Sequence, residues 1–301
     1  MPTRPGCVHV FDLPEEDRPR VPSAAQGVRS NAVRAKVRAV GDTAGLTRMG
    51  VWIRTVQPGD AGTQRHFHTV EEEWAYVLSG TATVRVGPHR IGVRAGSFVG
   101  FPPGPAPHHF IASGAEALVL LEGGERRPHE DSGWYVDLGM RCGSDRKFTQ
   151  SDEAPPVEIG ELTQCVHVYE QPITARTHPV EPRARRSNRE LSIGTGLERQ
   201  VVRWGCVAAG DLSTAYHTHD HTDEWLYILS GRAQARVGDA RFEVGPGDFM
   251  AHPSGGAAHT LEVSSELEYL MGGMRDPEDI VRYLDAGVMK RHGALTPIEK
   301  S

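Results

Sequence analysis

The feature of this 301-residue chain that most constrains its fold is a spaced set of three histidines and one glutamate that occurs twice. The two copies keep one register: residues 59–108 align with residues 210–259 without insertion or deletion, and 23 of these 50 pairs are identical. A shared register over so long a segment indicates an internal duplication, so we predict two copies of one folding unit. The repeated residues are His66, His68, Glu73 and His108 in the first copy and His217, His219, Glu224 and His259 in the second.

The length of the chain fits two units, because 301 residues suffice for two domains of roughly 150 residues, each with its own buried core. The repetition continues outside the aligned segment, where residues 7–11 are echoed by 165–169 and residues 135–139 by 283–287. A polar, proline-bearing stretch at 150–156 is typical of a boundary. We therefore predict an N-terminal domain over residues 1–153 and a C-terminal domain over residues 154–301.

Each copy consists of short runs of β-branched and aromatic residues separated by glycine and proline. Residues 74–78 and 225–229 each end at Ser-Gly, as a strand ends at a turn, and residues 81–87 and 98–101 are further strand candidates. Helical periodicity is scarce, and we predict short helices only at 276–283 and near 32–39. Many short, evenly spaced strands predict an all-β protein with a sandwich or barrel in each half.

The composition of the chain limits the kinds of partner that it is expected to bind. A net charge of -6 and a pI of about 6.2 argue against nucleic acid and against an anionic membrane surface as partners. The basic stretch at 183–186, with Arg189, is expected to be a solvated linker or loop. The four cysteines lack disulfide or zinc spacing, and no apolar run resembles a signal peptide or a membrane span. We expect a soluble cytoplasmic protein whose partner is a small molecule.

The chemistry of the repeated residues points to a metal ion. Side chains alternate along a strand, so His66 and His68 project from one face, with Glu73 opening the next strand and His108 arriving from across the fold. Three imidazoles and one carboxylate leave positions free on a six-coordinate ion. This donor set suits Fe(II), Mn(II) or Ni(II), with Zn(II) or Cu(II) possible. The residual positive charge of such a site attracts an anionic ligand.

The spacing of these residues resembles the two motifs of the cupin superfamily. In the first motif, six residues separate the glutamate from a glycine, here Gly80 and Gly231; in the second, a Pro-x-Gly turn precedes the last histidine. The chain is therefore similar to bicupins, especially bacterial two-cupin proteins of the cupin-2 type and, more distantly, oxalate decarboxylases. The resemblance implies two tandem cupin barrels of the double-stranded β-helix or jelly-roll type, with all eight residues as metal ligands.

Three functions follow from the resemblance. The first is an Fe(II) oxygenase or dioxygenase that acts on a small anionic or phenolic substrate chelated to the metal. The second is a Mn-dependent decarboxylase, because residues 73–76, Glu-Trp-Ala-Tyr, resemble the corresponding stretch of oxalate decarboxylases. The third is a non-catalytic bicupin that binds a small molecule. The resemblance also makes a homodimer possible, and the sequence identifies no catalytic residue beyond the ligands.

Strand alternation also predicts in which direction the residues after each glutamate point. Trp74 and Trp225 should face away from the metal and pack in a core. The following inward positions are smaller in the first copy, with Ala75 and Val77, than in the second, with Leu226 and Ile228. This difference predicts a roomier interior in the first half.

Overall fold

The computed structural model describes residues 4–17, 33–145, 147–151 and 165–298, and most of them lie in antiparallel strands. The strands before residue 152 are β1 (Cys7–His9), β2 (Glu16–Asp17), β3 (Ala35–Ala39), β4 (Met49–Val56), β5 (His66–His68), β6 (Glu73–Ser79), β7 (Thr81–Val86), β8 (His89–Arg94), β9 (Ser97–Phe101), β10 (His108–Ala112), β11 (Leu118–Glu125), β12 (Gly133–Tyr135), β13 (Met140–Cys142) and β14 (Phe148–Gln150). The strands after residue 164 are β15 (Cys165–His167), β16 (Thr174–His178), β17 (Glu181–Glu190), β18 (Gln200–Val207), β19 (His217–His219), β20 (Glu224–Val237), β21 (Ala240–Val244), β22 (Asp248–His252), β23 (His259–Met274), β24 (Val281–Tyr283), β25 (Val288–Arg291) and β26 (Ala294–Pro297).

Helices are few and short. The described residues contain one α-helix, α1 (Val40–Ala44), and the 3-10 turns Val10–Asp12, Val136–Leu138, Val168–Glu170 and Ile193–Thr195. None of the helices in this part of the chain has the length and apolar character needed to cross a membrane. All four cysteines are free thiols.

Both predicted helices are wrong. Within 276–283, the side chain of Asp276 accepts the backbone N–H of Glu278 in a tight turn, and the residues that follow form β24, which pairs with β19. Within 32–39, residues 35–39 form β3, which pairs with β4; residue 32 lies outside the described residues. In both places pairing with a neighbouring strand outweighs local helical preference.

The first half is a two-sheet jelly roll, as the all-β prediction required. One sheet has the order β14-β13-β12-β5-β10-β7-β8 and the other the order β15-β9-β6-β11-β4-β3-β2. Apolar side chains such as Val84, Phe110 and Leu120 form a buried cluster in this half. The second half repeats the arrangement with fewer, longer strands. The single strand β20 corresponds to β6 and β7 together, and β23 corresponds to β10 and β11 together. These long strands join the second half into one 12-stranded sheet.

The two halves share their largest buried cluster. It combines residues of β4, β6, β9 and β11 with residues of β18, β20, β22 and β23. At its centre Trp74 and Trp225 are 1% and 0% exposed and stack with ring centroids 5.2 Å apart and an interplanar angle of 16°. The prediction that both tryptophans pack in a core is confirmed, and that core is the interface between the halves.

Each half also lends its first strand to the other. β1 pairs with β22 of the second half, with Cys7 opposite Met250, and β15 pairs with β9 of the first half, with Cys165 opposite Val99. The predicted boundary between residues 153 and 154 lies outside the described residues and stays a prediction.

The basic stretch at 183–186 is not a loop, contrary to the sequence-based expectation. It lies in β17, which pairs with β16 and β18. Arg183 and Arg185 face outward and form ion pairs with Glu262 and Asp211, each with an N–O distance of 2.7 Å. Arg186 lies on the opposite face, where its Nη1 atom donates to the carbonyl oxygen of Ser213 at 3.0 Å. Because each of these three arginines has a partner, a run of basic side chains is compatible with a strand here.

Candidate metal centres

The first candidate centre lies between the two sheets of the first half. β5 carries His66 and His68, β10 of the same sheet carries His108, and β6 of the facing sheet begins at Glu73. His108 does not arrive from across the fold, as the sequence suggested, because β10 pairs directly with β5 and places it opposite His66.

A glycine turn leads into each final histidine. Gly104 and Gly255 have φ values of 131° and 68°, a region that side chains with a Cβ rarely adopt. Their backbone N–H groups donate to the carbonyl oxygens of His68 and His219, at 2.9 and 2.7 Å. The Pro-x-Gly turn therefore connects β10 to β5, and β23 to β19, next to the candidate ligands.

Three imidazole nitrogens converge on one carboxylate oxygen in the first centre. The Oε2 atom of Glu73 lies 3.4 Å from Nε2 of His66, 3.4 Å from Nε2 of His68 and 3.2 Å from Nε2 of His108. Atoms that ligate one transition ion at about 2.1 Å lie roughly 3 Å from their neighbours. The donor set of the first half therefore fits a divalent ion.

The second centre repeats this geometry. The Oε2 atom of Glu224 lies 3.3 Å from Nε2 of His217, 3.4 Å from Nε2 of His219 and 3.2 Å from Nε2 of His259. In each half, the donor atoms of the His-x-His pair and the glutamate lie within 4.8 Å of one another. All eight residues predicted from the sequence thus come together in two sets of four.

The other ring nitrogen of each His-x-His residue is held by an acceptor. Nδ1 of His66 lies 2.9 Å from the carbonyl oxygen of Gln64, and Nδ1 of His217 lies 2.9 Å from that of Ala215. A carbonyl oxygen can only accept, so each Nδ1 carries the hydrogen. The Nε2 lone pair is then free for a metal, which is how metal-ligating histidines are usually oriented.

Sequence reasoning missed two carboxylates that orient the second histidine of each pair. Oδ2 of Asp131 lies 2.6 Å from Nδ1 of His68, and Oδ2 of Asp279 lies 2.5 Å from Nδ1 of His219. A signal for them was present: each lies four residues before the repeated tyrosine, Tyr135 or Tyr283. Extending the repeat by four positions would have found both.

Burial and charge set the protonation of the first centre. Although burial opposes it, the charge of Glu73 and the hydrogen bond to Asp131 raise the pKa of His68 to about 9. Burial also opposes ionisation of Glu73, yet the surrounding imidazoles hold its pKa well below its usual value. Burial lowers the pKa of His108 to about 4, so that ring is neutral. Without metal, the centre holds a proton on His68 beside an ionised Glu73.

The second centre behaves in the same way. Against the effect of burial, hydrogen bonds to Asp279 and Glu224 raise the pKa of His219 to about 10. Burial lowers the pKa of His259 to about 4. A divalent ion would replace the proton in each centre, because metal ligands must be deprotonated.

The two centres differ in the ring that covers the last histidine. Phe101 stacks on His108 with centroids 3.8 Å apart, whereas its repeat partner His252 stacks on His259 at 3.4 Å. His252 is 6% exposed, and its Nε2 atom is buried without a hydrogen-bond partner among the described residues. Burial lowers the pKa of His252 well below its usual value, so the ring is neutral.

The centres also differ in nearby charge and space. In the first half Arg54, on β4, donates through Nε to both carboxylate oxygens of Glu122 at 2.9 and 2.8 Å. The corresponding positions in the second half are Gly205 and Met271. The second half contains a narrow cavity, partly open to solvent, that reaches Glu224 and His259. The roomier first interior stays a prediction; Arg54 and Glu122 add bulk there that the Ala75 and Val77 positions do not reveal.

Comparisons with known proteins agree with this architecture. The family model for the cupin domain matches residues 52–123 and 203–271. An oxalate decarboxylase from Bacillus subtilis is similar in structure, with a TM-score of 0.59 and 18% sequence identity over 93% of this chain and 79% of that one. The protein Ylba from E. coli has a TM-score of 0.58 and 16% identity, over 90% of this chain and 91% of that one. No curated protein sequence matches the chain. At such identities the structural likeness concerns the fold alone.

Proposed function

The chain belongs to the cupin superfamily as a two-domain member, and from this premise we propose that it is a metal-dependent enzyme acting on a small anionic substrate. The observation that supports this most is the convergence of three Nε2 atoms on one carboxylate oxygen, present in both halves. A cytoplasmic location, expected from the sequence, and a homodimeric state, which the resemblance to cupins makes possible, belong to the same proposal.

Each residue of the candidate centres would have a defined role in binding the ion. The three Nε2 atoms and the glutamate would hold the ion, while the acceptors at Nδ1, including Asp131 and Asp279, keep each imidazole in the tautomer that presents Nε2. A bound divalent transition ion would supply Lewis-acid chemistry and, if it is iron, electron transfer. Three neutral imidazoles and one carboxylate leave such a site with a net charge near plus one, which favours an anionic substrate.

Among the reactions that this donor set serves, we favour Fe(II)-dependent oxygenation of a small anionic or phenolic compound. The ligands leave positions free for a chelating substrate and for dioxygen. Glu122, an additional carboxylate close to the first centre, is ion-paired with Arg54 and so is not available as the proton donor that a decarboxylase requires.

Mn-dependent decarboxylation is the second candidate. The resemblance of residues 73–76 to oxalate decarboxylases and the similarity in fold to the Bacillus subtilis enzyme over 93% of the chain favour it. The two reactions differ in metal and in gas exchange: iron with dioxygen uptake supports the first, and manganese with release of carbon dioxide supports the second.

The experiment is metal analysis of the full chain purified without added metal salts, followed by assays of dioxygen uptake and carbon dioxide release with small carboxylates and phenols. We expect about two metal equivalents per chain in the wild type, and about one in His68→Ala and in His219→Ala. His129→Ala, which alters an exposed histidine, is the matched control and should retain both. Full metal content in both ligand variants would refute the assigned centres, and metal binding without turnover would favour the non-catalytic binder.

A further inference from the structure

The cavity of the second half contains a positive charge that the protein itself does not neutralise. Arg186 lines this cavity together with Glu224 and His259 of the candidate centre. Its guanidinium donates to the carbonyl oxygen of Ser213 and shares the cavity wall with the phenol of Tyr269. Both groups are uncharged, and among the described residues Arg186 has no ion-pair partner.

The first half lacks this feature. Ala35 occupies the position of Arg186, 151 residues earlier, and the arginine beside the first centre, Arg54, is paired with Glu122. With a divalent ion in each centre, the second interior would carry roughly one more positive charge than the first. Only the second therefore favours an additional anionic group beside the metal position.

His252 supplies a hydrogen-bonding atom in the same cavity. Its ring lines the cavity and lies over His259, while its Nε2 atom is buried without a partner among the described residues. Buried polar atoms are rarely left unsatisfied unless a ligand or water serves them. Phe101, the repeat partner in the first half, cannot make such a bond.

The remaining walls limit the kind of anion. Leu226, Met250 and Met271 line the cavity with apolar surface, and the cavity is narrow, so a large anion does not fit. A guanidinium binds planar carboxylates in a bidentate manner. A carboxylate attached to a small apolar group matches the charge, the donors and the walls together.

On the basis of the proposed function, we propose that the second half is the substrate-binding half and takes a small carboxylate. Arg186 is the counter-charge of this carboxylate, and the His252 imidazole is a further hydrogen-bond donor to it. The first half holds its ion without such a ligand. Arg186 and His252 are thus the residues that set substrate class, and the two centres have different roles.

Calorimetric titration of the Mn(II)-loaded full chain with butyrate tests this, with butyramide as the uncharged probe of the same shape. We expect butyrate to bind and butyramide to bind far more weakly. Arg186→Ala and His252→Phe, which install the residues of the first half, should each weaken butyrate binding roughly 10- to 100-fold, the usual effect of losing a hydrogen bond to a charged group. Arg185→Ala is the matched control, because it removes the same charge from the outer face of β17 and should change the affinity little.

Two ligand variants locate the binding site. His68→Ala should lose the first ion and keep butyrate binding, whereas His219→Ala should lose both the second ion and butyrate. Melting temperatures near that of the wild type would show that the variants remain folded.

The outcomes separate this inference from the proposed function. Two bound ions together with unchanged butyrate affinity in Arg186→Ala and His252→Phe would overturn the inference and leave the metal centres standing. Butyrate binding lost in His68→Ala, equal binding of butyramide, or no butyrate binding by protein that holds two ions would also overturn it. A chain that binds no metal at all would instead contradict the proposed function.

Discussion

Asp131 and Asp279 determine which nitrogen of His68 and His219 faces the metal position. Each carboxylate accepts the Nδ1 hydrogen of its histidine and also a backbone N–H, from Val70 in the first half and His221 in the second. The backbone hydrogen bond therefore fixes each carboxylate in the position from which it orients the imidazole ring. Loss of such an outer partner typically weakens metal binding, although the partner does not touch the ion.

We expect Asp131→Asn to weaken metal binding in the first centre by about 10- to 100-fold, because the amide keeps the shape but loses the charge that supports the imidazole. Metal titration of the purified variant would measure this. Asp137→Asn, which alters a carboxylate paired with Arg65 nearer the surface, is the control. Equal affinity in the two variants would contradict the role assigned to Asp131.

Metal binding should release protons at neutral pH. The raised pKa values of His68 and His219, about 9 and about 10, mean that both are protonated without metal, whereas a ligating imidazole must be neutral. Metal affinity should therefore rise as the pH increases towards these values, with about one proton released per ion at pH 7. Calorimetry in two buffers of different ionisation enthalpy counts the protons, and release of none would contradict this protonation state.

The same raised pKa values stabilise the metal-free fold at low pH. A histidine whose pKa is higher in the folded than in the unfolded chain contributes its full stabilisation below the usual value of 6.5. That contribution disappears as the pH rises through about 9 for His68.

Strands β6 and β20 begin with a residue pair that serves two purposes. Glu73 and Glu224 point to the metal positions, while the residues just before them, Glu72 and Asp223, reach into the other half. The Glu72 carboxylate accepts the backbone N–H groups of residues 198–200 at 2.8 to 3.1 Å, and Oδ2 of Asp223 accepts those of Thr47 and Arg48 at 2.9 Å. Each strand that begins with a candidate glutamate ligand is thus attached to the opposite half by the residue just before it.

We expect Glu72→Gln to lower the free energy of unfolding by about 1.5 to 3 kcal/mol, because three backbone N–H groups lose a charged acceptor. Urea denaturation followed by circular dichroism would measure the change. Glu198→Gln, at an exposed position beside the same contact, should cost far less. Equal effects of the two substitutions would show that the buried carboxylate is not specifically required.

The elements and the centres were predictable from the sequence to different degrees. His66 and His68 follow from strand alternation and Glu73 from a repeated spacing, both of which are local signals. Asp131 approaches His68 only because β12 pairs with β5, and a pairing between distant segments leaves no local periodicity. Arg186 was read as solvated because clustered charge is usually exposed, whereas the alternation of β17 sends this one arginine inward.

One apolar interface joins the two halves of the molecule. Trp74 and Trp225 occupy its centre, and Nε1 of Trp74 donates to Oε1 of Gln200 at 2.9 Å. The position equivalent to Gln200 in the first half is Met49, and Nε1 of Trp225 is buried without a hydrogen-bond partner among the described residues. The pseudosymmetry of the halves is therefore broken at the interface as well as at the centres.

Trp225→Ala should lower the free energy of unfolding by about 3 to 5 kcal/mol, because it leaves a large cavity between the halves. The remaining transition should stay single, since neither half has an independent core at this surface. Denaturation followed by circular dichroism tests both points, with Trp134→Ala, at a partly exposed site, as the milder control. A variant in which one half keeps its wild-type stability would contradict a shared core.

The exchange of β1 and β15 has a consequence for the order in which the chain folds during synthesis. The outer edge of β9 has no partner until the ribosome has made Cys165–His167, and β1 must wait for Asp248–His252. An edge strand left open in this way is a site for mispairing with other nascent chains. The first unit to emerge is therefore the one most dependent on prompt translation of the rest, and chaperone demand should be greatest before these partner strands have been made.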